Sequence, residues 1–339
     1  MKTRKILVVG CGFSGVVIAR QLAEAGFAVT LIDKRNHIGG NAHDFQNAHG
    51  IRVHTYGPHL FHTSNQKVVA WLSRFTTWMD YKHKVKALLS DGSLVTLPVN
   101  IETMIKVGRE NILDTFYRPY TKKMWGLEIE QLDPDILNRV PIRDDHNEHY
   151  FPDDTFQAMP THGFTALIQG ILEHPNIHVL LNTAFEHGMD SGFEHTFNSM
   201  PIDEFFEFEW GRLPYRSIKF HHFDLPVPQV YPVATVNFTH SYPYTRVTEW
   251  KNLPGNPNDL PYSSITIEEP CADIDNNFER YYPVKDVHGV NRALFFKYKE
   301  LAPQNMTFIG RCGQYVYLNM DQAVSAAIAT ADKFIQKAL

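Results

Sequence analysis

A glycine-rich loop near the N-terminus constrains the fold of this chain more than any other feature. Lys5–Val9 is a short run of β-branched and apolar residues, typical of a strand buried on both faces of a parallel sheet. The GxGxxG motif Gly10–Gly15 follows at once, a helical pattern of apolar residues extends to Ala25, and a second apolar run ends at Asp33. Together these residues predict one complete βαβ unit.

The spacing of the three glycines is that of a dinucleotide site. Gly10 permits a tight turn, Gly12 lets the backbone approach a pyrophosphate, and Gly15 lets helix and strand pack closely. The helix start presents free N–H groups to phosphates, and Asp33 follows the second strand, where it can accept hydrogen bonds from ribose hydroxyls. A glycine-rich turn without a ligand is the structural alternative, but strand, helix and acid together favour the nucleotide site.

Composition excludes several other classes of protein. The 339 residues are 43% hydrophobic and 20% charged, which suits two or three globular domains or one large domain with insertions. The net charge of −5 gives no electrostatic reason to expect a nucleic-acid or membrane partner. Three scattered cysteines predict no disulfide framework, and glycines interrupt the only stretch that resembles a signal peptide. We therefore expect a soluble cytoplasmic protein that meets any anionic ligand with locally placed positive groups.

Hydrophobic patterns predict the remaining elements. Helices are predicted from Asn65, over much of 100–140, and over Phe164–Leu172 and Gln322–Lys337, with strands at Ile177–Leu181 and Met306–Ile309. Residues 84–97 predict a hairpin that turns at Asp91-Gly92. Alternating patterns over 202–300 predict an antiparallel sheet, and the polar stretch 144–154 predicts a mobile loop.

Two further motifs favour FAD over NAD as the cofactor. Gly39-Gly40 follows Asp33 closely, and Phe308–Arg311 precedes the helix start at Asn319–Asp321. In this order the three motifs resemble the FAD-binding family related to glutathione reductase and the amine oxidases. The fold class is therefore expected to be α/β, with a Rossmann-like FAD-binding domain, a small helical insertion and an antiparallel-sheet substrate domain.

The residues between these motifs resemble the bacterial UDP-galactopyranose mutases. The matching segments run in the family's order over nearly the whole chain: Tyr56–Thr63, Tyr120–Gly126, Asn138–Arg143, Tyr215–Ser217, Tyr244–Glu249, Tyr281–Val284 and Tyr315–Asp321. The resemblance implies an isomerase that converts UDP-galactopyranose to UDP-galactofuranose for cell-surface polysaccharide biosynthesis. It also implies a non-redox use of the flavin, in which N5 of reduced FAD bonds transiently to C1 of the sugar.

The resemblance assigns roles to individual residues. Arg139 and Arg246 match the two arginines that hold the diphosphate, a task suited to the planar, permanently charged guanidinium. His59 matches a histidine beside the flavin ring, and Glu268 a glutamate near the sugar, with Glu269 as the alternative for that glutamate. Further substrate contacts are expected from Phe116, Tyr117, Tyr120 (stacked on uracil), Thr121, Trp125, Tyr150, Tyr282, Tyr317, Asn319 and His83.

The cofactor site drawn from the motifs and the resemblance is large. It comprises Gly10, Gly12, Phe13, Ser14, Gly15, Asp33, Lys34, Arg35, Gly39, Gly40, Asn41, His59, Leu60, Gly310, Arg311, Asn319, Met320 and Asp321. His59 and His62 lack the carboxylate or cysteine cluster that would complete a metal site, so no metal is expected. An external reductant such as NAD(P)H is implied as a partner. A homodimer is possible from the sequence, which does not decide the oligomeric state.

The expected domain organisation is discontinuous. Residues 1–80, 155–200 and 301–339 are assigned to the FAD-binding domain, and 81–99 with 201–300 to the substrate sheet. Residues 100–154 are assigned to a helical domain with a mobile loop, shorter than the family's.

The sequence leaves alternative functions open. Asn319 stands where the mutases carry Asp, and His83 where some carry Asn, so the sugar could instead be dTDP-fucopyranose, another dTDP-deoxysugar or UDP-N-acetylgalactosamine. An amine-oxidase-type oxidoreductase is a second class, since fold alone does not decide function. A flavin-bearing binding protein without turnover is a third.

Overall fold

The computed structural model describes residues 4–131 and 142–338 of the chain. Their strands form a five-stranded sheet, a seven-stranded sheet and two small ones. In chain order the strands are β1 (Lys5–Val9), β2 (Ala28–Ile32), β3 (Asp44–Gln46), β4 (Arg52–His54), β5 (Phe61–Thr63), β6 (Trp78–Asp80), β7 (Val85–Leu88), β8 (Leu94–Leu97), β9 (Phe156–Pro160), β10 (Ile177–Leu180), β11 (His195–Asn198), β12 (Tyr215–Leu225), β13 (Thr235–Phe238), β14 (Arg246–Glu249), β15 (Ser263–Ala272), β16 (Tyr282–Pro283) and β17 (Met306–Phe308).

The helices of the described residues are mostly short. They are α1 (Phe13–Glu24), α2 (Gln66–Leu72), α3 (Ile101–Val107), α4 (Arg118–Trp125), α5 (Gly163–Leu172), α6 (Ile202–Phe205), α7 (Val290–Glu300), α8 (Gly310–Gly313) and α9 (Met320–Ala338). A π-helical turn, Leu113–Tyr117, leads directly into α4. None of these helices has the length and apolar character that crossing a membrane requires.

The five-stranded sheet is parallel throughout, in the order β10–β2–β1–β11–β17. Val9 at the end of β1 is in register with Ile32 on one side and Asn198 on the other. The chain segments that follow these strands therefore emerge side by side at the carboxyl edge, where ligands bind in sheets of this kind.

Both faces of this sheet are covered, which explains why β1 is apolar along its whole length. Ile6 and Val8 are fully buried in the main core together with α1, α5 and α9. Leu7 and Val9 point to the opposite face, where Phe185 packs against them. Successive residues of a strand point to opposite faces, so a doubly covered strand has no polar positions.

The seven-stranded sheet has the order β16–β12–β15–β14–β13–β7–β8. Its neighbouring strands are antiparallel except for β13 and β7, which pair in parallel. The β7–β8 hairpin adds two strands from an early part of the chain to strands from residues 215–283. Arg246 on β14 lies directly opposite Glu268 on β15.

Most predicted elements are confirmed, with differences at their ends and in one region. The hairpin over 84–97 turns where predicted, and the closing helix begins at Met320, within two residues of its predicted start. The prediction of sheet over all of 202–300 is wrong at both ends of that range. Ile202–Phe205 forms α6, and Val290–Glu300 forms α7 because Phe295 and Tyr298 share one buried face at helical spacing. The sheet is also mixed, since the parallel β7–β13 pair is a long-range contact that alternation within 202–300 does not encode.

Candidate active site

The glycine motif forms a cradle at the carboxyl edge of the parallel sheet. Gly10 has a φ of +101°, and a Cβ on Gly15 would lie 1.9 Å from the Gly10 carbonyl oxygen. Gly12 precedes the first turn of α1 in extended backbone, with no side chain in front of the free N–H groups. An anionic ligand can therefore approach the positive end of the helix.

The second and third glycine motifs close on the first. The Gly39 N–H donates to the Cys11 carbonyl at 3.0 Å, and a Cβ on Gly40 would come within 2.8 Å of the Gly12 Cα. Gly310 has a φ of +69° and approaches Ser14 at the start of α1. Three segments that are distant in sequence thus meet at one point with little more than backbone between them.

Asp33 is held at the edge of this cradle. Its carboxylate accepts a hydrogen bond from the Cys11 N–H at 2.7 Å and one from the Arg35 N–H at 2.9 Å. The side chain is largely buried but lines the cavity that the cradle opens into. A carboxylate has lone pairs beyond those two, so it can also accept from a ribose hydroxyl.

One cavity collects most of the residues predicted to hold the cofactor. It is lined by Gly10, Gly12, Phe13, Ser14, Gly15, Asp33, Lys34, Arg35, Gly39, Gly40, Asn41, His59, Gly310, Arg311, Asn319 and Met320. Two predicted residues lie elsewhere: Leu60 packs against the main core, and Asp321 accepts a hydrogen bond from Thr63 at 2.8 Å. The glycine cradle, the helix start and the buried acid fit an extended dinucleotide such as FAD.

The cavity also has walls that the sequence analysis missed. Thr183-Ala184 and Ser199–Pro201 line it after β10 and β11, and Glu279–Tyr281 reaches it from the other sheet. The segments after β10 and β11 could have been found from the rule that parallel strands end at a common edge. Glu279 carries no such signal; it pairs with Arg35 at 2.7 Å and so ties the second sheet to the cofactor loop.

Arg311 forms the far wall of the cavity. Its guanidinium donates to the carbonyls of Leu318 at 2.7 Å and Tyr281 at 3.3 Å. It also lies 5.0 Å from the ring centroids of both Tyr282 and Tyr317, which stack on each other at 5.3 Å. A fixed positive charge thus sits beneath a pair of phenol rings.

His59 lines the same cavity and is neutral at ordinary pH. Burial lowers its pKa to about 3, and the charges of Arg311 and Arg246 add to this effect. Its Nδ1 lies 2.9 Å from the Gly57 carbonyl, so the proton of the neutral ring is on Nδ1 and Nε2 is an acceptor. Its own backbone N–H donates to His54 Nδ1 at 3.1 Å, which ties this stretch of backbone to the last residue of β4.

The pair of Arg246 and Glu268 is a largely buried ion pair close to the cavity. Arg246 Nε lies 2.8 Å from Glu268 Oε1, and the Glu268 side chain is 2% exposed. Among the described residues neither of these two atoms has a partner in hydrogen-bond geometry, so the contact between them is chiefly electrostatic. Glu269 points to the other face of β15 and pairs with His221 at 2.8 Å, so Glu268 is the glutamate on the side of Arg246.

An aromatic cluster surrounds this ion pair. It contains Trp125, Tyr120, Tyr281, Tyr282 and Tyr317. Burial raises the pKa of Tyr120, whose phenol interacts with the charges of both Arg246 and Glu268. Neutral phenols and aromatic rings around a buried guanidinium suit a ligand with a planar base and an anionic group.

The other predicted substrate residues are split between two places. Thr121 is buried on α4, and Asn319 lines the cavity at the start of α9. Phe116 instead packs under the β7–β8 hairpin, where Tyr117 and Tyr150 contact the same core. His83 bonds to the Tyr81 hydroxyl at 3.0 Å, and burial lowers its pKa to about 3 with a contribution from Arg246. Arg139 lies outside the described residues.

Comparison with known proteins identifies the family. The family model for UDP-galactopyranose mutase matches residues 115–317, and a model for an NAD(P)-binding Rossmann-like domain matches residues 8–75. A probable UDP-galactopyranose mutase of Klebsiella pneumoniae is 35% identical over 99% of this chain and 96% of its own length. The chain belongs to the UDP-galactopyranose mutase family.

Membership of this family makes the protein a nucleotide-sugar isomerase, which confirms the predicted class of function. A dTDP-fucopyranose mutase of Escherichia coli is 33% identical over 98% of both chains, so the family includes enzymes of different nucleotide sugars. A crystal structure of reduced UDP-galactopyranose mutase shares the fold, with a TM-score of 0.77 and 16% identity over 99% of this chain and 95% of that one. The predicted fold class, a Rossmann-like domain with a substrate sheet, is confirmed, and these flavoprotein relatives imply a flavin cofactor.

Proposed function

We propose that this mutase interconverts UDP-galactopyranose and UDP-galactofuranose and that it is active with reduced FAD. The observation that carries the proposal is the position of Arg246. Its partly buried guanidinium stands among phenols and contributes to the lowered pKa of His59, a residue that lines the dinucleotide cavity. A diphosphate held by this arginine would therefore place its sugar beside the flavin.

The roles of the chain's own residues follow from this placement. Arg246, assisted by Arg139, would grip the diphosphate, while Tyr150, Tyr282 and Tyr317 would donate hydrogen bonds to it. Tyr120 would stack on the base, and Trp125, Phe116, Tyr117, Thr121, His83 and Asn319 would line the rest of the substrate site. Glu268 holds Arg246 in place, and the carboxylate oxygen that does not face Arg246 would orient a sugar hydroxyl.

The residues of the cofactor site would orient FAD and set the charge around its flavin ring. The residues around Gly10–Gly15, Gly39-Gly40 and Gly310–Met320 would hold FAD along the cavity, with Arg311 near the flavin ring. Reduced FAD, when bound, supplies a nucleophilic nitrogen for the anomeric carbon of the sugar. A positive charge at Arg311 favours the anionic reduced flavin, and the neutral His59 can accept a hydrogen bond beside it without adding charge.

Several finer assignments belong to the same proposal. We place the enzyme in the cytoplasm, reduced by an external donor such as NAD(P)H, and supplying furanose units for cell-surface polysaccharide. We also divide the chain into a cofactor part (1–80, 155–200 and 301–339), a substrate sheet (81–99 and 201–300) and a helical insertion (100–154). The parallel sheet takes its strands from residues 5–32, 177–198 and 306–308, and the mixed sheet takes its strands from 85–97 and 215–283, which supports this discontinuous division.

A dTDP-linked deoxysugar is the second candidate substrate. The Escherichia coli dTDP-fucopyranose mutase is almost as similar to this chain as the Klebsiella protein is, at 33% against 35% identity. Asn319, which lines the cavity, provides an amide where the mutases that the chain resembles carry an acid. A less polar sugar would tolerate the loss of that charge.

One screen tests both candidates. The purified protein, loaded with FAD and reduced anaerobically with dithionite, is incubated separately with UDP-galactopyranose, dTDP-fucopyranose and UDP-N-acetylgalactosamine, and products are separated by chromatography. We expect a furanose product from the UDP-galactose substrate and none with oxidised enzyme. Failure to form a ring-contracted product from any of the three would reject the proposal, and oxygen consumption with amines would support an oxidase instead.

A further inference from the structure

Helix α4 has one lysine that does not face solvent. The Lys123 ammonium donates to the backbone carbonyls of Phe238 at 2.7 Å, His240 at 3.0 Å and Tyr244 at 3.0 Å. An ammonium has three donors, and all three are used on one short stretch of backbone. The neighbouring Lys122 is 69% exposed and pairs only with Glu128 on the surface.

The carbonyls that Lys123 binds belong to the loop between β13 and β14. Phe238 is the last residue of β13, and Tyr244 lies two residues before Arg246, the first residue of β14. The tip of this loop, at 241–243, is exposed. Since the ammonium holds carbonyls on both limbs, it closes the loop from the side of α4 and limits where Arg246 can lie.

In the part of the chain that the structure describes, no carboxylate balances the charge of Lys123. Among residues 4–131 and 142–338, no acidic oxygen lies within ion-pair distance of its Nζ, and the side chain is partly buried. Burial lowers the pKa of Lys123 to about 8, because the charged ammonium is less well solvated there than in water. The site thus disfavours the charged ammonium, yet all three of its N–H groups bind carbonyls of one loop. An apolar side chain could fill the same space but could not hold the loop in this way.

The same helix carries the residue proposed to stack on the base. Tyr120 is one turn before Lys123, and Arg216 holds the end of α4 by donating to the carbonyls of Met124 at 2.7 Å and Lys123 at 3.0 Å. Helix α4 is therefore tied to β12 through Arg216 and to the β13–β14 loop through Lys123. These two ties connect the base platform to the strand that carries the diphosphate arginine.

We propose that Lys123 is a positioning residue that sets the distance between Tyr120 and Arg246, so that base and diphosphate of one nucleotide are bound together. This inference rests on the proposed function. It predicts that loss of the ammonium weakens the grip on the diphosphate while the contact with the base stays intact. A merely structural lysine would weaken both equally or lower only the melting temperature.

The test compares UDP with uridine as ligands of the FAD-loaded protein, by isothermal titration calorimetry. Wild type should bind UDP more tightly than uridine, and Arg246→Ala should lose that preference. We expect Lys123→Gln to reduce the preference about tenfold, the equivalent of one charge-assisted hydrogen bond, with uridine affinity unchanged. Lys122→Gln is the matched control and should keep the wild-type preference, while Lys123→Arg should restore most of it.

Each outcome decides between the two proposals. A Lys123→Gln variant with the wild-type preference, or with equal losses for both ligands, overturns the positioning role. The double variant Lys123→Gln/Arg246→Ala provides a further test. If its UDP affinity is lower than that of Arg246→Ala alone, the positioning role is also overturned, because the lysine would then act independently of the arginine. If the wild type itself does not prefer UDP, the proposed function fails first. Should Lys123→Gln not fold, Lys123→Met fills the same space without a donor and takes its place.

Discussion

At the residue scale, the buried pair of Arg246 and Glu268 is the centre of the site. A buried ion pair is weak support for stability, because removing two charges from water costs about as much as their attraction returns. This pair is better suited to binding, since only Nε faces Glu268 and the guanidinium has four further N–H groups on its Nη atoms that can reach an anion. Function explains this pair better than stability does.

Replacement of Arg246 by alanine is expected to abolish most of the turnover. A bidentate contact with phosphate has two charge-assisted hydrogen bonds of roughly 1.5–3 kcal/mol each, so the rate should fall at least about a hundredfold. Product formation by the reduced enzyme measures the loss, and flavin absorbance shows whether the protein still holds FAD. Arg109, exposed and only 3.9 Å from the surface residue Asp144, provides the control Arg109→Ala. Turnover of Arg246→Ala within tenfold of wild type would remove Arg246 from the diphosphate site.

At this scale the sequence predicted which types of residue form the site better than it predicted where each residue lies. The resemblance pointed to a glutamate but left Glu268 and Glu269 open, and strand alternation in β15 decides between them only once its pairing with β14 is known. Phe116 and Tyr117 are both expected at the substrate, yet both pack against the core under the hairpin, where the π-helical turn places them. No periodicity predicts such a turn.

At the element scale, the loop that carries Gly39-Gly40 and the start of α1 form one unit. The Gly39 N–H bonds to the Cys11 carbonyl, and Gly40 approaches Gly12 so closely that a side chain on Gly40 would contact backbone. Gly40 also has a φ of +54°, in the left-handed region. The cofactor cavity depends on this contact, because both loops line it.

Gly40→Ala is therefore expected to release the flavin. The added Cβ would lie 2.8 Å from the Gly12 Cα, so the loops must separate; strain of about 1–3 kcal/mol lowers FAD affinity about tenfold or more. The ratio of flavin to protein absorbance after gel filtration measures the loss. Gly50 also has a positive φ but open space around it, so Gly50→Ala has similar backbone strain without the contact and should stay yellow. Equal flavin content in the two variants would contradict the close approach.

Local patterns predicted most elements because their signals are local. The strand, glycine turn and helix at 5–24 and the hairpin at 84–97 each follow from a few consecutive residues. The parallel pairing of β7 with β13 joins residues about 150 positions apart, and nothing in either strand specifies that partner. The sequence therefore predicted that these strands exist but not which strands pair with one another.

At the scale of the whole molecule, the site is assembled from both large sheets. The parallel sheet provides the cradle and Asp33, while the mixed sheet provides Arg246, Glu268 and the segment that brings Glu279 to Arg35. Such an arrangement lines one cavity from both sides. It also buries several histidines: His54 is 1% exposed and His83 is 4% exposed.

These buried histidines make the stability of the fold depend on pH. Burial lowers the pKa of His54, His59 and His83 to about 3, whereas in the unfolded chain each titrates near 6.5. Between these values the unfolded state binds more protons, so stability is full above about pH 6.5 and falls as the pH is lowered towards 3. From pH 7 to 5 the free energy of unfolding should decrease by about 2 kcal/mol for each of the three.

Urea denaturation at pH 7, 6 and 5 measures this dependence on the FAD-loaded protein without substrate. Carboxylates with lowered pKa, such as Glu148 at about 2, titrate in the unfolded chain only near pH 4.5, so they contribute little above pH 5. His83→Gln keeps a hydrogen-bonding side chain but removes one titration, and its decrease should be smaller than wild type by about 2 kcal/mol. The exposed His288 supplies the control, and His288→Gln should parallel the wild type. If His83→Gln shows the wild-type slope, the native His83 ring takes up its proton over the same pH range as in the unfolded chain, and an imidazolium charge near Arg246 would have to be added to the electrostatics of the diphosphate site at low pH.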